Sequence, residues 1–258
     1  MRPLPAILSC CLGVLCGCSA ELSNQQIAML EDGQQAYRAS QYSAAVSQLS
    51  RFLGEAKERP EAAQAAYVRG LAYARLGRRP EAVGDLRRAA GGSAEREIRW
   101  RANLALSTIY FEDGNWAAAA RSAAAAAEQM PARPPRDAAL FRVGQCQERL
   151  GRWDEARSAF SQVERLFPNT DFGEAARRRL SLGARAFSVQ CGVYGDEKNA
   201  QNLQARLKTG GVDSIVKRES RAGRALFIVY AGTFSNYENA ERQLGLVKRI
   251  VPDAVLIP

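Results

Sequence analysis

Side chains able to do chemistry are few in this chain, and two of them stand in a phrase written twice. Val189-Gln190-Cys191-Gly192-Val193-Tyr194 returns forty residues on as Val229-Tyr230-Ala231-Gly232-Thr233-Phe234, and Asn199-Ala200 returns as Asn239-Ala240. A strand, a glycine-containing turn and a helix are thus used twice, which sets an amide (Gln190) and a phenol (Tyr230) at matched positions. Such groups bind by hydrogen bonding and do not activate a nucleophile. The chain has no histidine. That excludes Ser-His-Asp and Cys-His catalysis and removes the commonest zinc ligand. No catalytic residue, metal ligand set or cofactor is expected, and the chain reads as a binding protein, not an enzyme.

The elements that hold the doubled phrase follow from its pattern. Ala186 to Tyr194 alternates as a strand, Asn199 to Lys208 reads as an amphipathic helix, and Gly210-Gly211 ends it. Val212 to Arg218 is a second strand, Arg224 to Phe234 a third, Asn236 to Val251 a second helix and Asp253 to Ile257 a closing strand. The order β-α-β-β-α-β is a ferredoxin-like split βαβ, with the first and third strands side by side in the centre and the helices on one face. Alternation sends Val189, Cys191, Phe227 and Val229 towards the helices. It leaves Ser188, Gln190, Gly192, Leu226, Ile228 and Tyr230 on the open face. That mixture of amide, phenol and aliphatic surface suits sugars, which offer hydroxyls and C–H faces together.

Upstream the chain repeats with a period of 37, from about Asn24 to Leu182. Ala45, Ala82, Ala119 and Ala156 hold one register; Gly33, Gly70, Ser107 and Gly144 hold a second. Ser40, Gly77, Gly114 and Gly151 hold a third, and Leu49, Leu86, Ala123 and Phe160 a fourth. Four small-or-apolar registers at one period predict a helical solenoid of helix–break–helix units. Trp116 and Trp153 follow the turn glycines of the last two units, where Tyr42 and Arg79 stand in the first two; they read as turn-packing core. Small crossing residues, an aromatic after the turn and a closing Pro131 or Pro168 resemble the tetratricopeptide repeat. The resemblance implies that first helices line a concave groove, where Arg38, Arg75, Glu112 and Arg149 share a register. Arg38, Arg75 and Arg149 are candidate contacts to an acidic or C-terminal carboxylate segment of an unknown protein partner.

The first eighteen residues hold Cys10, Cys11, Cys16 and Cys18 and an apolar run from Ala6 to Gly17. This reads as a signal peptide, short for a membrane span. Leu15-Cys16-Gly17-Cys18 resembles the bacterial lipobox, which implies cleavage after residue 17 and a diacylglyceryl and palmitoyl anchor on Cys18. Several acyl chains on one residue give stable attachment. Ser19, in place of Asp, favours the outer membrane by resemblance to bacterial sorting rules. Cys146 and Cys191 remain, one in each domain, and read as buried thiols. The net charge of +9 favours anionic partners without choosing among them.

The last segment, from about Arg185 to Pro258, resembles the SPOR domain, a family that binds peptidoglycan stripped of its stem peptides. The residues that carry the likeness are Ser188 to Tyr194, Asn199-Ala200, Leu203 and Leu207, then Phe227 to Tyr230, Gly232-Thr233-Phe234 and Asn239-Ala240. The resemblance implies that Gln190 contributes to glycan binding. Family members often carry Ser where Val193 stands and an aromatic near Leu226.

The expected division is a signal peptide over 1–17, a lipidated tether over 18–23, helical repeats over 24–182 and a SPOR-like domain over 185–258. An RNA-recognition module shares the β-α-β-β-α-β order, but its paired base-stacking aromatics are replaced here by Gln190 and Tyr230, and nucleic acid is not an expected partner. Glycoside cleavage needs two carboxyl groups facing across a cleft, and no such pair is evident. The expected role is a lipid-anchored periplasmic adaptor on the inner leaflet of the outer membrane. It grips denuded glycan strands at one end and docks a protein on its repeats, in cell division or envelope organisation. The competing expectation is an envelope scaffold that acts through the repeats alone.

Overall fold

The computed structural model describes residues 21–258, apart from 92, 93, 222 and the side chain of Arg221. The lipobox and Cys18 lie outside the described residues. Four helical hairpins come first: α1 (Asn24–Arg38) with α2 (Tyr42–Glu55), α3 (Ala62–Arg75) with α4 (Arg79–Ala90), α5 (Arg96–Glu112) with α6 (Trp116–Gln129), and α7 (Arg136–Arg149) with α8 (Trp153–Leu166). A single helix, α9 (Asp171–Leu182), covers the end of the last pair.

The 37-residue registers have direct physical meanings. In each hairpin the second-register residue of the first helix meets the fourth-register residue of the second. A Cβ on Gly33 would lie 2.5 Å from Leu49, one on Gly70 2.9 Å from Leu86, and one on Gly144 2.5 Å from Phe160. In these three hairpins the helices therefore cross too closely for a side chain at that position. In the third hairpin Ser107 replaces the glycine, and its large partner shrinks to Ala123; both are buried. The Ser107 hydroxyl donates to the Leu104 carbonyl at 2.7 Å, so its burial leaves no orphaned group. The third register closes the turns. Ser40, Gly77, Gly114 and Gly151 all have positive φ, and each turn repeats one hydrogen-bond pair, as in Gly151 N to Glu148 O and Arg152 N to Gln147 O. This is the left-handed helix cap that glycine adopts without steric cost.

The terminal domain contains β1 (Phe187–Tyr194), α10 (Glu197–Thr209), β2 (Ile215–Arg221), β3 (Arg224–Phe234), α11 (Tyr237–Val247) and β4 (Val255–Ile257). The sheet order is β2-β3-β1-β4, antiparallel throughout, so the doubled strands are central as expected. Its core lies between the sheet and both helices: Val189, Cys191, Val229 and Ala231 against Ala200, Leu203, Leu207 and Val247. β2 begins later than the pattern predicted. Val212 N bonds to Leu207 O at 2.8 Å, so Val212 closes the cap of α10 and is buried there instead of entering the strand.

A candidate glycan face and the joint that carries it

The register of the central pair decides which residues share the open face. Gln190 pairs with Tyr230, Tyr230 with Ile215, and Gln190 with Val255. Directly opposed residues project to the same side, so Ile215, Tyr230, Gln190 and Val255 form one row across all four strands. Ile215 is 61% exposed and Val255 48%, with Gln190 and Tyr230 half-buried between them. The Tyr230 hydroxyl donates to Glu219 Oε1 at 3.2 Å. Glu219 is opposite Leu226, so the phenol is directed along the sheet towards the β2–β3 hairpin. Ile228 is fully buried on this side, and Leu226 and Ser188 are half-buried.

Two β-bulges alter the alternation. Cys191 is the extra residue between the pairs Gln190–Tyr230 and Gly192–Val229, and Gly232, at φ +80°, is the extra residue between Ala231 and Thr233. Gly192 is therefore opposite Val229, on the helix side, and is not on the open face. A Cβ there would lie 2.8 Å from the Tyr194 ring. Val193 takes the vacated place, opposite Ile228 and 42% exposed. Four of the six expected residues (Ser188, Gln190, Leu226 and Tyr230) present surface on this face. Ile228 supports it from below, and Gly192 leaves it.

The arginine register does not form a ladder. Arg38 and Arg75 are exposed at the ends of α1 and α3. Glu112, between them and Arg149, is engaged by Arg79 at 2.8 Å, with Asp113 on the same guanidinium. Arg149 is used inside the chain. Its guanidinium carbon lies 3.9 Å from the centre of the Tyr237 ring, 4.5 Å from Trp116 and 5.2 Å from Phe111. A cation held by three aromatic faces has little left to offer a partner segment.

That cage belongs to a joint between the repeats and the terminal domain. Trp153 donates its indole N–H to the Ser235 carbonyl at 2.8 Å and packs on Phe187 at 4.9 Å. Phe187 and Trp116 both meet Tyr237, at 5.7 and 5.8 Å. A Cβ on Gly151 would sit 2.6 Å from the Ser235 oxygen, so this turn needs glycine for the approach as well as for its φ of +77°. Trp116 packs on the repeat core beside Phe111, as expected, and also meets Tyr237; Trp153 serves mainly as a docking residue, and both are half-buried. The signal was present in the sequence: only the last two units carry tryptophan at this register. A cleft of about 210 Å³ borders the joint, lined by Glu148, Arg149, Arg179, Phe187 and Tyr237 among others. Burial raises the Glu148 carboxyl above its usual value, opposed by Arg179 and Arg149. Cys146 and Cys191 are free and buried, and burial pushes each thiol up to about 11.

Among the described residues there is no cluster of three or more His, Cys, Asp or Glu able to hold a metal ion. None of their helices is long and apolar enough to cross a membrane.

Comparison with known proteins finds family matches in both the helical repeats and the terminal domain. Residues 183–258 match the family model of the SPOR domain. Residues 30–97 and 138–170 match two models of the tetratricopeptide repeat. Among solved structures, a tetratricopeptide repeat protein from Parabacteroides merdae ATCC 43184 is similar at 14% identity and a TM-score of 0.54, over 62% of this chain and 60% of that one. MamA AMB-1 is similar at 22% identity and a TM-score of 0.48, over 61% of this chain and 83% of its own. No curated protein matches the chain. SPOR domains bind peptidoglycan and tetratricopeptide repeats dock proteins, so the parts are those of an adaptor in the bacterial envelope. The chain carries tetratricopeptide repeats followed, at residues 183–258, by a C-terminal SPOR domain.

Proposed function

We propose that this protein is a lipid-anchored adaptor that holds peptidoglycan strands lacking stem peptides on the open face of its terminal sheet, without turnover. The observation that carries the reading is the row Ile215–Tyr230–Gln190–Val255. It sets an amide and a phenol between two exposed aliphatic residues on a sheet whose other face is filled by helices. A sugar ring needs both kinds of contact, and a flat strip meets an extended strand better than a closed pocket does.

Acyl chains on Cys18 tether the other end to the inner leaflet of the outer membrane in this reading. The repeats between them present a groove in which Arg38 and Arg75 stay available to a carboxylate-bearing segment. Strands without stem peptides occur where septal wall is being split, which links the protein to division. The test is co-sedimentation of the full chain, in non-ionic detergent, with sacculi before and after amidase digestion. Removing stem peptides raises the bound fraction; an unchanged or lower fraction refutes the reading. Substituting Cys18→Ala transfers the protein from the membrane to the soluble fraction, and retention at the membrane refutes the anchor.

A further inference from the structure

The neutral row explains how the sheet grips a sugar but not how it tells a bare strand from a substituted one. The stem peptide is joined by an amide to the lactyl ether of every second sugar. Hydrolysis adds water across that C–N bond, sending the amine away with the peptide and leaving a carboxylate on the strand. A denuded strand is a polyanion with one charge per disaccharide.

The same face carries cations placed to read that charge. Lys217 is opposite Ile228, which is opposite Val193, so the three make a row adjacent to the Gln190–Tyr230 row, about 7 Å along the strands. Lys217 is exposed, and among the described residues no acidic side chain forms an ion pair with it. Arg224 shares the parity of Leu226, Ile228 and Tyr230 on β3 and is exposed at the hairpin end, about 13 Å from the Ile228 level. Glu219 is the acidic residue between these two levels, and its carboxylate already accepts from Tyr230. The domain as a whole has eleven Lys and Arg against seven Asp and Glu in residues 183–258. A chain laid along β3 passes the Gln190–Tyr230 row, then Lys217, then Arg224.

We propose that Lys217 and Arg224 pair with the lactyl carboxylates uncovered by peptide removal, and so set the selectivity for denuded strands. This rests on the glycan-binding reading of the open face. A peptide-bearing strand offers a neutral amide at each of these points, along with the bulk of the stem. A carboxylate offers two acceptor oxygens to the lysine ammonium and the arginine fork.

The experiment measures affinity of the full chain, in non-ionic detergent, for amidase-denuded strands and for the same strands with their carboxylates capped as amides by carbodiimide and ammonia. Capping weakens binding by about tenfold, in line with loss of exposed charge pairs. The Lys217→Gln/Arg224→Gln variant binds uncapped strands about tenfold more weakly and no longer distinguishes capped from uncapped. Lys217→Arg keeps the discrimination. Wild-type affinity that capping leaves within about twofold overturns the proposal. A double variant that still discriminates fully overturns the residue assignment. If the wild type binds neither strand, the glycan-binding reading fails first.

Discussion

The two halves of the terminal domain share one frame and do different work on its surface. Each half has a strand ending in a glycine under an aromatic ring, Gly192 under Tyr194 and Gly232 under Phe234. Each then has a helix capped by an Asx side chain that accepts from the backbone three residues on, Asp196 to Asn199 and Asn236 to Asn239. The turn after the first glycine leads to Glu197, which is exposed. The turn after the second leads to Ser235 and Tyr237, which meet Trp153, Trp116 and Arg149. On the open face the matched position is Gln190 in one copy and Tyr230 in the other. The two halves keep what the fold needs; the positions facing outward differ, giving the proposed ligand row on one side and the contact with the repeats on the other.

The largest expected difference between the halves lies in the bulge glycines. Gly232 has φ +80°, and a Cβ there would lie 2.4 Å from the Phe234 ring. Gly232→Ala is expected to destabilise the terminal domain by about 2–3 kcal/mol, through left-handed backbone strain and displacement of the ring. Gly192→Ala meets only the movable edge of Tyr194 and is expected to lose about 1 kcal/mol. Urea unfolding of the full chain, followed by far-UV circular dichroism, ranks the two. Equal losses would break the claim that the halves carry different bulges.

The joint comes next. Gly151→Ala and Gly114→Ala impose the same left-handed penalty, about 1 kcal/mol, but only Gly151 faces the Ser235 carbonyl. Gly151→Ala is expected to red-shift tryptophan emission as Trp153 becomes wetter, and Gly114→Ala to leave it unchanged. A double-mutant cycle on Arg149→Ala and Tyr237→Ala sharpens this, with a coupling energy of about 1–2 kcal/mol for a partly desolvated cation–π contact. The corresponding substitution in the first half, Glu197→Ala, is expected to show no coupling to Arg149.

The smallest effect concerns Cys191, whose counterpart in the second half is Ala231. With Cys146 and Cys191 both raised to about 11 from 9.0, the folded state keeps its thiols protonated while an unfolded chain ionises. Stability from this source is therefore complete below pH 9 and declines as pH rises towards 11. At pH 8, iodoacetamide followed by peptide mapping is expected to leave both residues unmodified in the folded protein. Rapid alkylation of Cys191 alone would mean that the terminal domain opens where the repeats do not.

Much of this architecture was legible because close packing leaves a periodic mark. Where helices cross, only glycine or serine fits, and the partner's size varies with it, so Gly33, Gly70, Ser107 and Gly144 announce the hairpins. The central strand pair was legible from the doubled phrase. The bulge at Cys191 was not, because one extra residue alters pairing without altering composition, and Gly192 was placed on the wrong face for that reason. The joint was missed because a tryptophan beside a turn has two uses, and one unit read alone cannot separate them. Arg149 was misjudged with it: the 37-residue spacing gives its place on α7 but not what the folded-back domain sets over it.

The central claim is that glycan is held on the open face of the sheet. Amide and methyl NMR shifts of the full chain in detergent, on titration with amidase-denuded strands, test it directly. The account predicts shifts clustered on Gln190, Tyr230, Ile215, Val193 and Val255, with the helix-side residues Leu203 and Val247 silent. Shifts confined to the helix side or to the repeats would contradict it.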